Sequence, residues 1–221
     1  MGAATRLLRR VVEHGREAWR LDNGRLRAEV LPSFGGRVWT LEDLERKTQW
    51  IWHNPKVALA VPASGDSYDD AWAGGWEELF PNDSSDEFDG HTLPDHGEWW
   101  SRSWIADVLE DTAQRAAVRL RLETRSVKAA CEKIVSIEAG AKSLRVRYRI
   151  ENRENTPLRF MLKQHLAVAV KPGDLLELPG GMIHPVDLDF STRLGRSGPF
   201  TWPNGQDKEG RKVDISLVPP P

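Results

Sequence analysis

Two histidines far apart in the chain carry the strongest claim to chemistry. His165 lies in the segment from Leu158 to Val170, among Leu158, Phe160, Leu162, Leu166, Val168 and Val170. An imidazole in such apolar company costs desolvation unless a hydrogen bond compensates it. A half-buried group that titrates near neutrality is also what general acid or base work needs. A hydrogen-bonded core histidine and a functional one are both compatible with that setting. His96 sits in Leu-Pro-Asp-His-Gly-Glu-Trp-Trp, residues 93–100, where Gly97 permits close approach of a ligand and Asp95 and Glu98 could orient or charge the ring. A merely solvated loop histidine is the competing reading. His53, His91 and His184 have weaker claims. His91, His96, Glu98 and His165 could be imagined around a metal, but no His-x-His pair or helical His-x-x-x-His clusters the ligands, and no metal is expected. No glycine-rich phosphate loop and no Gly-x-Ser-x-Gly elbow is present.

The aromatic residues suggest what such histidines would act on. Ten Trp outnumber six Phe and two Tyr, and Trp50, Trp52, Trp72, Trp76, Trp99, Trp100 and Trp104 fall within one short stretch. An indole presents a flat apolar face with a polar N–H, which suits the C–H face of a pyranose ring whose hydroxyls point outward. Large aromatics also dominate cores, so about two thirds of these side chains are assigned to packing.

The elements that must position these residues read as strands. Asn23-Gly24 supplies the positive φ of a tight hairpin between two extended segments, Pro32 closes the second, and Gly35-Gly36 turns the chain into Arg37–Leu41. Residues 54–101 lose periodicity and read as a long loop-rich insertion with enough aromatic surface to fold down as a binding wall. Alternation returns with Val118, Leu120 and Leu122 against Arg119, Arg121 and Glu123, and again with Leu144, Val146, Tyr148 and Ile150 against Arg145, Arg147 and Arg149. Residues 115–150 are therefore a meander of at least three half-buried strands. The segment 158–170 is expected to be a strand buried on both faces. Beyond Lys171-Pro172-Gly173-Asp174 the chain is turn-rich again, and residues 4–14 suit a short amphipathic helix or a frayed terminus.

At 221 residues the chain reads as one domain spanning 1–221, with 1–16 poorly ordered or short helical. The formal charge of -2 gives no field that advertises nucleic acid or an anionic membrane. No apolar run is long enough to span a bilayer, so no membrane partner is expected. The single Cys131 allows no internal disulfide, which favours a reducing, cytoplasmic setting.

Taken in order, several motifs resemble the aldose 1-epimerase (galactose mutarotase) family. Leu21–Pro32 followed by Phe34-Gly-Gly-Arg-Val38 is similar to its first hairpin and glycine turn, and Gly74–Asn82 to its substrate-site loop. Pro94-Asp-His-Gly-Glu98 resembles the stretch carrying its first active-site histidine, and Asn152 with Pro157–Phe160 leading to His165 the run into its second. The resemblance covers most of residues 17–185. It implies an all-β fold, a large antiparallel β-sandwich of the galactose mutarotase-like supersandwich type. It also implies interconversion of sugar anomers by acid/base ring opening, without a cofactor.

By that resemblance His165 and His96 are the catalytic residues. His165 would serve as the acid at the ring oxygen, with His96 hydrogen-bonding the same region of the sugar. Asn82, Trp76, Glu98, Arg102 and Trp99 would bind the substrate. The family's base is a glutamate near its C-terminus, and no segment before Pro221 matches it, so the C-terminal strands of the fold are expected to be missing. The partner expected is a small-molecule sugar, with a homodimer left open. Two alternatives stand beside this reading: a non-catalytic carbohydrate-binding protein of the same fold, and a metal-dependent β-barrel sugar isomerase.

Overall fold

The computed structural model describes residues 7–220 apart from positions 14, 64, 65, 187, 190, 196 and 197. Its contacts divide the chain into two compact units, Met1–Ala169 and Val170–Pro221. The first unit contains β1 (Leu8–Glu13), β2 (Arg16–Asp22), β3 (Leu26–Leu31), β4 (Arg37–Asp43), β5 (Thr48–Gln49), α1 (Tyr68–Ala71), β6 (Trp76–Leu79), β7 (Asp86–Phe88) and β8 (His91–Leu93). A 3-10 turn at Trp99–Ser101 is followed by β9 (Ile105–Asp111), β10 (Arg115–Glu123), β11 (Ala129–Glu138), β12 (Leu144–Asn152) and β13 (Lys163–Leu166).

Nearly every element is an antiparallel strand. One sheet runs β1-β2-β3-β4-β6-β13, with β5 paired to β4, and a second runs β12-β11-β10-β9. Strand alternation gives each sheet an apolar face. Leu21, Ala28, Val30 and Val38 from the first sheet join Val118, Leu120, Cys131, Val135 and Ile137 from the second in one buried cluster, so the two sheets pack face to face. The opposite face of the first sheet carries Ala18, Leu31, Phe34 and Trp39, which pack with Ala73. That second face is the one that holds the histidine site.

Asn23 forms the expected turn between β2 and β3, with its Oδ1 accepting from the backbone N–H groups of Arg25 and Leu26. The meander is present with one more strand than the alternation alone revealed, because β9 joins β10 through a bulge at Ala117/Val118. The second unit, by itself, holds the short pairs β14 (Met182–Ile183) with β15 (Phe200–Thr201) and β16 (Asn204–Gln206) with β17 (Lys212–Asp214), in agreement with its turn-rich composition.

Three expectations are corrected. Leu8–Glu13 is a strand and not a helix, because register with β2 from Leu8↔Leu21 to Glu13↔Arg16 decides its conformation; residues 1–6 and 14 lie outside the described residues. Within 54–101, Trp76–Leu79 is not loop but an internal strand between β4 and β13. The segment 158–170 contains only a four-residue strand and is not buried on both faces. Phe160, Leu166 and Val168 are 49%, 44% and 41% exposed, because β13 is an edge strand and no described element of its unit covers that side.

Candidate functional site

His165 owes its position to the pairing of β13 with β6, where it stands directly opposite Glu77. Side chains alternate along a strand, so Glu77 and Leu79 share one face of β6 while Trp76 and Glu78 share the other. Glu77 is fully buried and forms an ion pair with the equally buried Arg37 at the start of β4. Arg37 also donates to the Gly74 carbonyl. Gly74 has φ +85, and a Cβ there would lie 2.4 Å from the Trp52 carbonyl oxygen, so only glycine permits this approach.

Tyr68 opens α1, whose N-cap Ser67 accepts from the Asp70 N–H at 3.3 Å. Its hydroxyl lies 2.5 Å from Glu77 Oε1 and 2.6 Å from His165 Nδ1. The Tyr68 ring is stacked on that of His96, with centroids 3.7 Å apart and planes 4° from parallel. The two histidines singled out from sequence are thus brought to one tyrosine, His96 on its face and His165 at its hydroxyl. Trp72 packs 5.1 Å from the His165 ring, and Trp100 meets Tyr68 edge-on at 4.9 Å. The side chains of His165 and His96 remain 30% and 23% exposed, so each keeps part of its ring open to a ligand.

His96 is held by a turn that the backbone makes under strain. His96 has φ 57 and Gly97 φ 67, and a Cβ at Gly97 would lie 2.2 Å from the Phe80 carbonyl oxygen. The His96 N–H donates to the Asp83 carbonyl at 3.1 Å, and that of Glu98 to the Phe80 carbonyl at 2.7 Å. His96 Nδ1 lies 2.9 Å from Asp95 Oδ2. Lys163 is on the same face of β13 as His165, and its Nζ pairs with Asp83 at 2.7 Å.

The electrostatics follow from burial and pairing. Burial alone would raise the Glu77 pKa, but the Arg37 charge, with hydrogen bonds from His165 and Tyr68, holds it below its ordinary value. Burial, reinforced by the Glu77 charge, pushes the Tyr68 hydroxyl well above its ordinary range, so it is a neutral phenol. Burial pushes the Cys131 thiol up to about 12, which leaves this cysteine an unreactive core residue.

The five residues expected to bind substrate lie around the His96 turn and β6, in packing and bracing positions. Trp99 is fully buried between Phe80 and Trp104. Trp76 is on the opposite face of β6 from Glu77, where its indole N–H donates to Gln164 Oε1 at 2.9 Å. Asn82 braces the His96 turn, with Nδ2 donating to the Pro94 carbonyl at 2.6 Å and to that of Ser84 at 2.7 Å. Glu98 is buried and accepts from Arg102 and from the backbone N–H groups of Arg125 and Ser126. Glu98 and Arg102 line a cavity of about 420 Å³ with Trp100 and with Asp95 and Gly97, the residues that flank His96.

His91 lies 3.7 Å from Glu154, His53 stacks on Trp39, and His184 is exposed in the second unit. Among the described residues no group of three His, Cys, Asp or Glu side chains is placed to hold a metal ion. Sequence reasoning missed Tyr68, Glu77, Lys163 and Asp83, and it saw Arg37 only as a strand residue. The one available signal was the pair of adjacent carboxylates inside an otherwise apolar Gly-Gly-Trp-Glu-Glu-Leu-Phe run.

The first unit is built on an antiparallel two-sheet sandwich, and two imidazoles gather with aromatic rings on the outer face of its larger sheet. No protein-family model and no curated protein matches the sequence. Among solved structures it is similar to a TPR-domain containing protein from Parabacteroides distasonis, with TM-score 0.60 and 15% identity over 85% of this chain and 28% of that one. Structural neighbours also include a putative mutarotase from Salmonella typhimurium, with TM-score 0.48 and 12% identity over 68% of this chain and 48% of that one. A galactose mutarotase-like protein from Clostridium acetobutylicum matches with TM-score 0.45 and 16% identity over 65% of this chain and 48% of that one. The chain thus spans less than a third of the first of these and about half of the other two. At 15% identity the likeness to the first is one of fold alone.

Proposed function

We propose that this chain binds a sugar at the His96–Tyr68–His165 cleft and catalyses interconversion of its anomers. The observation that carries this reading is the convergence of two partly open imidazoles on one tyrosine, beside the Trp72 indole. Anomer exchange needs a base for the proton of the anomeric hydroxyl and an acid for the ring oxygen as the C1–O bond breaks. Two imidazoles in opposite protonation states supply both without a cofactor. In this reading His96 takes the hydroxyl proton and His165 delivers one to the ring oxygen. Rotation about C1–C2 and closure in reverse return both protons. The indole of Trp72 offers the apolar face for the C–H side of the ring. Lys163 is matched by Asp83, which fits an uncharged sugar better than a phosphorylated one.

Polarimetry on freshly dissolved α-glucose and α-galactose tests the reading. Relaxation faster than buffer, reduced by about 100-fold or more in His165→Ala, is the expected result. Saturable binding by calorimetry with relaxation at the buffer rate would leave a sugar-binding protein in place of an enzyme. Absence of both across neutral hexoses and pentoses would overturn the reading.

A further inference from the structure

We propose that Tyr68, anchored by Glu77 and Arg37, is the positioning residue of this cleft: it holds His165 in the Nδ1–H tautomer, so that Nε2 alone is offered to a ligand. The inference deepens the reading above by assigning which nitrogen of His165 exchanges the proton.

The Tyr68 oxygen lies 2.5 Å from Glu77 Oε1 and 2.6 Å from His165 Nδ1, so each of the two contacts must hold one proton. A phenol brings one proton and two acceptor sites. Glu77 is paired with the fully buried guanidinium of Arg37, which is always charged and keeps the carboxylate ionised. An ionised carboxylate only accepts, so the proton between Tyr68 and Glu77 is the phenol's own. The proton between Tyr68 and His165 must then sit on Nδ1. The opposite assignment would need a protonated Glu77 facing Arg37 in a site closed to water, which the ion pair opposes.

The shortest links therefore run Arg37 to Glu77, Glu77 to Tyr68 and Tyr68 to His165, each residue on a different element, and His165 Nδ1 also makes a longer direct contact of 3.4 Å with Glu77 Oε1, an acceptor for the same Nδ1–H. Arg37 begins β4, Glu77 is in β6, Tyr68 opens α1 and His165 is in β13. In the neutral ring Nε2 is then a pure acceptor, and in the protonated ring it is the nitrogen free to donate. The same tyrosine seats the His96 ring on its face, so one residue sets the position of both imidazoles.

Long-range 1H–15N correlation of the histidine side chains, at a pH where the ring is neutral, reads the tautomer directly and does not depend on turnover. In the unmodified chain His165 should show a pyrrole-like Nδ1 and a pyridine-like Nε2. Tyr68→Phe keeps the aromatic ring and removes the hydroxyl, and it should shift His165 toward the Nε2–H form. It should also lower kcat for anomer exchange by about 10–100-fold with KM little changed, as for loss of other outer partners that orient a histidine. A pyridine-like Nδ1 in the unmodified chain would overturn the assignment, and an unchanged tautomer in Tyr68→Phe would overturn the role of Tyr68. If the tautomer is as stated while sugars relax only at the buffer rate, the relay stands and the epimerase reading alone fails.

Discussion

The Arg37–Glu77 pair is the residue-scale feature on which the cleft depends, because both charges are closed to water and each is tolerable only beside the other. Replacing Glu77 with Gln leaves a buried guanidinium unmatched, and a loss of about 3–5 kcal/mol in unfolding free energy is expected by urea denaturation. The pH dependence has a definite sign. The Glu77 pKa is lowered on folding, so its stabilisation is complete above the unfolded carboxyl value of about 4.3 and is lost as the pH falls toward the folded value. Urea midpoints should therefore fall on acidification through that range, and Glu77→Gln should flatten that part of the curve. His96 and His165 were legible in the sequence because an imidazole is conspicuous among leucines, or in a Pro-Asp-His-Gly turn. Tyr68 and Glu77 were not, since nothing in a single sequence says that a tyrosine and a carboxylate nine residues apart will meet through a hydrogen bond.

Among the elements, β6 and the His96 turn decide whether the site exists. Sequence patterning missed β6 because Glu77 and Glu78 put charge on both faces, and alternation of apolar and polar residues is the only strand signal in a four-residue run. Both charges are buried because each finds an opposite charge, Arg37 on one face and Lys133 on the other. The N-terminal strand was missed for a related reason: Leu-Arg-Arg-Val-Val-Glu places its residues in pairs, which fits helical spacing as well as strand spacing until β2 supplies the partner. Trp99 and Trp76 shared the indole signal of Trp72 but face packing positions, since type alone does not reveal which side of an element a residue occupies. Gly97→Ala tests the turn. It forces a Cβ into the Phe80 carbonyl at a left-handed backbone position, so a loss of about 1–3 kcal/mol is expected by thermal or urea unfolding, with weaker sugar binding as the His96 ring leaves Tyr68.

For the whole first unit, the two sheets are joined by an apolar interior and by one buried polar bridge. Lys133 Nζ of the smaller sheet lies 2.9 and 2.7 Å from the two carboxylate oxygens of Glu78, and Tyr148 donates to the same carboxylate at 2.5 Å. Lys133→Met strands the carboxylate and should cost about 3–5 kcal/mol, whereas Lys133→Met with Glu78→Leu should cost clearly less, because an apolar pair needs no desolvation of charge. A double-mutant cycle by urea denaturation measures the difference. The half-buried meander strands and the first hairpin were legible from alternation in β10 and β12 and from the Asn23-Gly24 turn, all of which are local signals, whereas the sandwich was implied only by the family resemblance. Which face of the larger sheet would carry the cleft was not, because that depends on the pairing of β6 with β4 and β13 across long stretches of chain.

The central claim is that the imidazoles of His96 and His165 act together on one sugar, and anomer-exchange rates by NMR exchange spectroscopy for the unmodified chain, His96→Ala, His165→Ala and the double variant test it most directly. Groups that work as a unit are not additive, so each single variant should lose nearly as much rate as the double. An unmodified chain no faster than buffer, or single losses that simply multiply in the double variant, would contradict it.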